Sequence, residues 1–179
     1  QHADPVHKIS IISRGRALGY TLSIPDEDKV LNSLSEMKDE LAVFMGGRVA
    51  EELFCDDITT GASQDIRHIT QVARDMVAKY GMSEKIGPIA YSSDEEVFIG
   101  RDYEKTKSYS EQVAGLLDGE VREIIDRAYG HCEKILQEDR EKLFQVVEFL
   151  LAHETMSGAQ FKACMEGRDM DAAGPGSLF

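Results

Sequence analysis

From Ser35 onward, apolar side chains return every three or four residues, and this spacing governs most of the chain. Met37, Leu41, Met45, Val49 and Leu53 fall at intervals of four and draw one stripe along a first predicted helix. Ser33-x-x-Glu36 stands in front of it as a capping box, in which hydroxyl and carboxylate each satisfy a backbone donor that a helix start leaves open. Gly46-Gly47 interrupts the stripe. Each glycine costs ~1 kcal/mol relative to alanine, so either a second backbone packs closely there or the cost is tolerated. A second helix is predicted from Ser63 to Lys79, with Ile66, Ile69, Ala73, Met76, Val77 and Tyr80 on one face and Gly81 as its stop. Ser108-x-x-Glu111 opens a long third helix carrying Val113, Leu117, Val121, Ile124, Ala128, Cys132 and Leu136. A shorter one over Glu141–Ala152 carries Leu143, Val147, Leu150 and Leu151, and Ser157-x-x-Gln160 begins the last.

Before Ser33 the period is two. Ile9 and Ile11 alternate with Lys8 and Ser10, Arg14-Gly15-Arg16 offers turn chemistry, and Ala17 to Leu22 reads as a second strand. The stretch through Pro25 to Asn32 is polar and reads as a loop, and residues 81–107 are irregular around Gly87-Pro88 and the acidic Asp94-Glu95-Glu96. Gly167 to Phe179 has no periodicity and is expected to be a disordered tail. The expected fold is therefore mainly α with a small β-hairpin near the N-terminus, as one domain over 1–166 followed by a tail over 167–179.

Size and charge narrow the partners. A chain of 179 residues buries roughly 70% of its unfolded surface, enough for a real core. No apolar run approaches the ~18 residues of a membrane-spanning helix, and no basic-then-apolar leader is visible at Gln1-His2-Ala3-Asp4-Pro5. The net charge of −13 repels phosphate backbones and acidic headgroups, so no nucleic-acid partner is expected; solubility is the plain reading of the acidity. Cys55, Cys132 and Cys164 are odd in number and form no C-x-x-C pair, which suits a reducing compartment.

Self-contained catalytic patterns are absent: no phosphate-cradling glycine loop, no G-x-S-x-G elbow, no zinc ribbon. His153-Glu154-Thr155-Met156-Ser157 begins like a zinc-binding HExxH helix but ends in serine, which cannot supply the second imidazole. It reads as a helix end followed by a cap. None of His2, His7, His68, His131 and His153 forms an i, i+4 pair with another histidine or cysteine. In Thr59-Thr60-Gly61-Ala62-Ser63-Gln64-Asp65 a glycine-containing loop feeds a helix with an aspartate in its first turn. Such a carboxylate complements the positive helix end by ~0.3–1 kcal/mol, and on periodicity alone Asp65, Glu51 and Glu52 pass as ordinary helix charges.

Taken together, several stretches resemble the peptidase domain of the FtsH family. They are His2-Ala3-Asp4-Pro5-Val6-His7-Lys8-Ile9, Gly19-Tyr20-Thr21, Gly46-Gly47-Arg48-Val49-Ala50-Glu51-Glu52-Leu53 and Thr60-Gly61-Ala62-Ser63-Gln64-Asp65-Ile66. Tyr80 to Pro88 and Phe98-Ile99-Gly100-Arg101 follow in the same order and spacing. The resemblance covers residues 2–165 and is silent on the tail.

It implies a membrane-anchored homo-hexamer of the bacterial inner membrane or an organellar equivalent, with an AAA+ ATPase module in cis that binds ATP. The zinc peptidase domain would face the cytoplasm and degrade unfolded or unassembled membrane and soluble proteins. Zinc would be held by two histidines of an HExxH helix and by an aspartate further along, which the resemblance places on Asp65; Glu51 would orient a ligand imidazole. The HExxH helix, with its general base, would lie just before His2-Ala3-Asp4-Pro5 and so outside these residues. The fragment alone is then expected to hold little zinc, to be inactive, and to self-associate through an apolar face. The alternatives are a helical interaction module without chemistry and a pseudoprotease domain.

Overall fold

The computed structural model describes residues 3–13, 15, 18–25, 31–91 and 109–174. The chain divides into two compact units, one of Gln1–Asn32 with Ile135–Phe179 and one of Ser33–Lys134. The expected mainly α fold with a small N-terminal sheet is what the structure has.

The unit over Ser33–Lys134 is helical. Helix α1, Leu34–Phe54, starts with both halves of the predicted capping box: the Ser33 amide donates to Glu36 Oε2 at 2.7 Å, and the Glu36 amide donates to Ser33 Oγ at 3.3 Å. It buries Met37, Leu41, Ala42, Met45 and Val49, the stripe read from the sequence, while Leu53 is only half-buried in the last turn. A Cβ at Gly46 or Gly47 would meet no described atom within 4 Å, so no described backbone explains that glycine pair. Helix α2, Ser63–Ala78, packs on α1 through Ile69, Ala73, Met76 and Val77. Ile66 and Tyr80, predicted on the same face, are 42% and 51% exposed because burial is confined to the middle turns. Gly81 adopts φ +61°, and a Cβ there would lie 2.8 Å from Pro88 Cα, so the chain turns back on itself where only glycine fits.

Helix α3, Glu111–Glu138, buries Ala114, Leu117, Val121, Ala128 and Cys132; Val113 and Ile124 of the predicted stripe are half-buried. Ser110 Oγ accepts from the Val113 amide at 3.3 Å at its N-terminus; Ser108, expected to cap it, lies outside the described residues. Polar contacts tie α3 to what precedes it. Buried Ser83 donates to Glu120 Oε2 at 2.6 Å and accepts from the Ile86 amide at 3.2 Å. Lys85 pairs with Glu120 at 2.7 Å and with Glu123. The Tyr129 hydroxyl donates to Glu52 of α1, which also accepts from Arg48 Nε at 2.7 Å.

The other unit is built on a three-stranded antiparallel sheet in the order β2-β1-β3. Strands β1, Val6–Ser10, and β2, Tyr20–Ser23, form the expected hairpin, with Ile9 opposite Thr21 and Ser10 opposite Tyr20. Ile11, expected in the first strand, leaves the sheet: its amide donates to the Glu154 carbonyl at 3.0 Å. Ile11, Ile12, Leu18, Leu22 and Ile24 are exposed around this hairpin. Strand β3, Thr155–Ser157, has no counterpart in the sequence reading; it adds to the free side of β1.

Helix α4, Arg140–His153, ends at Glu154, which takes a left-handed φ of 62° and turns the chain directly into β3. Ser157 then caps α5, Gly158–Met165, in the predicted box with Gln160. The core is Phe149, Leu150 and Met156, with Ile9, Val146, Phe161 and Met170 against it. The inner face of α4 is thus 146/149/150, and Leu151, expected inside, is 72% exposed. Within the stretch expected to be a disordered tail, Met170 joins that core and Asp171–Ala173 forms a 3-10 turn. Ser157 Oγ donates to the Gly174 carbonyl at 3.4 Å, and 175–179 lie outside the described residues. No described helix is long and apolar enough to cross a membrane.

Two expectations follow from this packing. A Cβ at Gly158 would sit 2.2 Å from the Val6 carbonyl oxygen, backbone against backbone. Gly158→Ala should therefore push β1 and α5 apart and cost about 1–3 kcal/mol in urea unfolding. The bond to Glu52 raises the Tyr129 hydroxyl to about 12, with burial adding to the effect. The stabilisation it gives is complete below the ordinary tyrosine value of ~10 and is lost as pH rises through the folded value. Between those pH values the wild type should lose stability relative to Tyr129→Phe, and one tyrosinate absorbance should appear late in a spectrophotometric titration.

Candidate functional site

The last turn of α1 carries two adjacent carboxylates with different duties. Glu52 faces Arg48 and Tyr129 and braces the helices. Glu51 reaches instead into the loop of residues 55–62 that joins α1 to α2. Its Oε2 accepts from the Thr59 amide at 3.0 Å and its Oε1 from the Thr59 hydroxyl at 2.5 Å. Thr59 Oγ1 in turn accepts from the Gly61 amide at 3.1 Å. These two bonds from Thr59, the hydroxyl first, hold the Glu51 carboxyl below the usual carboxylate range, with nearby Arg48 helping. A carboxylate that accepts from an O–H and an N–H of one residue fixes both the side chain and the backbone of that residue.

Past Gly61 the chain enters α2. The Ser63 amide donates to the Thr60 carbonyl at 3.1 Å, and the Ile66 amide to the Ala62 carbonyl at 3.0 Å. The N-cap position is Ala62, which is buried and has no side chain to cap with. Asp65 sits in the first turn, half-buried, on a helix whose entry is set by the preceding loop. At the end of α1 an open hollow of about 350 Å³ is lined by Glu51, Glu52, Cys55, Asp56, Asp57 and Ile58.

The described histidines have partners or surroundings of their own. His68 Nε2 lies 3.1 Å from Glu40 Oε1 and its ring rests 4.3 Å from that of Phe44, bracing α2 on α1. His153 stacks on Phe149 at 4.2 Å and its Nδ1 lies 3.1 Å from the Phe149 carbonyl oxygen, at the end of α4 as expected. His7 and His131 are exposed, and His2 lies outside the described residues. Among the described residues no three His, Cys, Asp or Glu side chains are placed to hold a metal ion. Asp65 offers an oxygen of the kind zinc accepts.

Thr59 is the residue that sequence reasoning passed over. It was legible only as loop composition, since neither periodicity nor a cap pattern marks a hydroxyl that bonds eight residues back across a turn. Glu51 was singled out by resemblance as a partner for an imidazole. Its two oxygens offer about four acceptor positions, so engagement with Thr59 leaves capacity for a further donor.

The model of peptidase family M41 matches residues 1–164. The chain is 47% identical over 168 residues to "ATP-dependent zinc metalloprotease FtsH 1" of Thermoanaerobacter sp. (strain X514), covering 93% of this chain and 28% of that protein. It is 51% identical over 166 residues to "ATP-dependent zinc metalloprotease FtsH" of Slackia heliotrinireducens, covering 92% and 21%. To the protein of that name from Thermotoga maritima it is 45% identical over 163 residues, covering 90% and 27%. The chain thus spans about a quarter of the length of the curated relatives it matches. A match that begins ahead of the first strand, runs through Glu51 and Asp65 and reaches α5 leaves one assignment: this chain belongs to peptidase family M41.

Proposed function

We propose that these residues form part of the peptidase domain of a membrane-anchored, ATP-dependent zinc endopeptidase that works as a homo-hexamer. An AAA+ module of the same polypeptide would bind ATP and feed it unfolded or unassembled proteins from membrane and cytoplasm. The domain would lie on the cytoplasmic side of a bacterial inner membrane or its organellar counterpart. Asp65 contributes one carboxylate to the metal. Glu51 steadies the surroundings of that ligand, through the loop on one side and through an imidazole on the other. The imidazoles and the general base come from an HExxH segment, which these 179 residues do not contain.

The observation that carries this reading is the delivery of Asp65. A half-buried acid in a first helical turn, entered through a loop tied down by a second carboxylate, is held at a fixed place before any ion arrives. Metal sites need such rigidity, because ligands that must be ordered on binding lose affinity.

In the complete protein, Asp65→Ala should release zinc and abolish casein cleavage, and Asp65→Asn should retain only part of either. Glu51→Gln should weaken zinc by ~10–100-fold, the range for losing a group that orients a ligand. Normal metal content and rate in Asp65→Ala would remove Asp65 from the site. The 179-residue chain on its own should hold zinc no better than micromolar at neutral pH, because structural affinity takes three or four good ligands. Sub-micromolar binding by isothermal titration would mean that donors other than Asp65 meet in this chain. A preceding sequence without HExxH would favour a pseudoprotease.

A further inference from the structure

We infer that Thr59 is a positioning residue for Asp65: its hydroxyl is the joint through which the carboxylate of Glu51 fixes the turn that starts α2. The inference rests on the reading of Asp65 as a metal ligand and adds the device that aims it.

Three observations carry it. The first is that one hydroxyl works in both directions, donating to Glu51 Oε1 at 2.5 Å and accepting from the Gly61 amide at 3.1 Å. It therefore couples the end of α1 to the peptide two residues further on, beyond the point where the Thr59 amide alone would reach. The second is the lack of a cap. Helix starts are usually set by a Ser, Thr, Asp or Asn side chain at the N-cap, and here that position is Ala62 with no side-chain bond. The first turn, with Asp65 in it, takes its direction from the loop instead. The third is the seat of the loop: Ala62 is buried, so the turn between Gly61 and Ser63 is packed against the protein as well as tied through the Glu51–Thr59 bond.

A loop held this way stays put only while its hydroxyl is present. Valine has the shape of threonine but neither donates nor accepts, so Thr59→Val would free the Gly61 amide and leave Glu51 with the Thr59 amide alone. Serine keeps both bonds. Misplacement of a reacting or ligating group by about 1 Å is enough to lose ~100-fold in rate.

The test uses the complete zinc-bound protein and three readouts: hydrogen–deuterium exchange of peptides covering residues 55–66, zinc affinity against a chelating dye, and casein kinetics. Thr59→Val should exchange faster over 55–66 with an unchanged pattern elsewhere, bind zinc ~10–100-fold more weakly, and lose kcat with little change in KM. Thr59→Ser should restore all three to within about threefold, and the Glu51→Gln/Thr59→Val pair should be no worse than the poorer single variant. Thr59→Val with zinc affinity intact, beside an Asp65→Ala that loses zinc, would overturn the role of Thr59 and leave the ligand assignment standing. Zinc retained by Asp65→Ala would overturn the ligand assignment and the positioning role with it. Should Thr59→Val fail to fold, Thr59→Ser and Glu51→Gln decide: unchanged exchange over 55–66 in Glu51→Gln would sink the proposal.

Discussion

The bond between Glu51 and Thr59 turns a connecting loop into a fixed turn. Loops between helices ordinarily move more than the helices they join, because their backbone groups answer to water. Here an anionic acceptor at the end of α1 takes the amide and the hydroxyl of one loop residue, and that residue holds the amide of Gly61. The direction in which α2 sets out, and so the place of Asp65, follows from this arrangement. Helix packing through Met45, Val49, Ile69 and Ala73 keeps the two helices together, but burial is non-directional. It does not choose which way a first turn points.

The neighbouring carboxylate shows how position divides labour. Glu51 and Glu52 are adjacent in sequence and project from different sides of the same turn. Glu52 meets a guanidinium and a phenol and ties α1 to α3; Glu51 meets a threonine and organises a loop. Two like residues thus differ in role because a helix rotates successive side chains by about 100°.

In the sheet-containing unit, the corresponding constraint is close approach of backbones. Gly158 lets α5 begin against the Val6 carbonyl, and Glu154 accepts a left-handed conformation so that the end of α4 can become β3. Left-handed backbone at a residue with a Cβ costs of order 1–2 kcal/mol, which the packing of Met156 and the pairing of β3 with β1 offset. The turn at Glu154 also supplies the carbonyl that takes the Ile11 amide as it leaves the hairpin.

Features that depend on residues within about one helical turn were legible beforehand. The boxes at Ser33 and Ser157, the buried stripe of α1 and the stop at Gly81 arise from neighbours in sequence, and the hairpin of β1 with β2 from two strands close along the chain. The α4 stripe was misjudged because Val146, Phe149 and Leu150 are as good an i, i+3, i+4 set as the one containing Leu151, and only the partner surface chooses between them. Resemblance named Asp65 and Glu51, but their surroundings came from the structure. Strand β3 and the bond from Thr59 to Glu51 were decided by the folded structure alone, β3 because β1 is brought to it by the elements in between, and the bond because it depends on the path the loop takes after α1. Sequence fixes the repeating units; which hydroxyl meets which carboxylate waits for the chain to close.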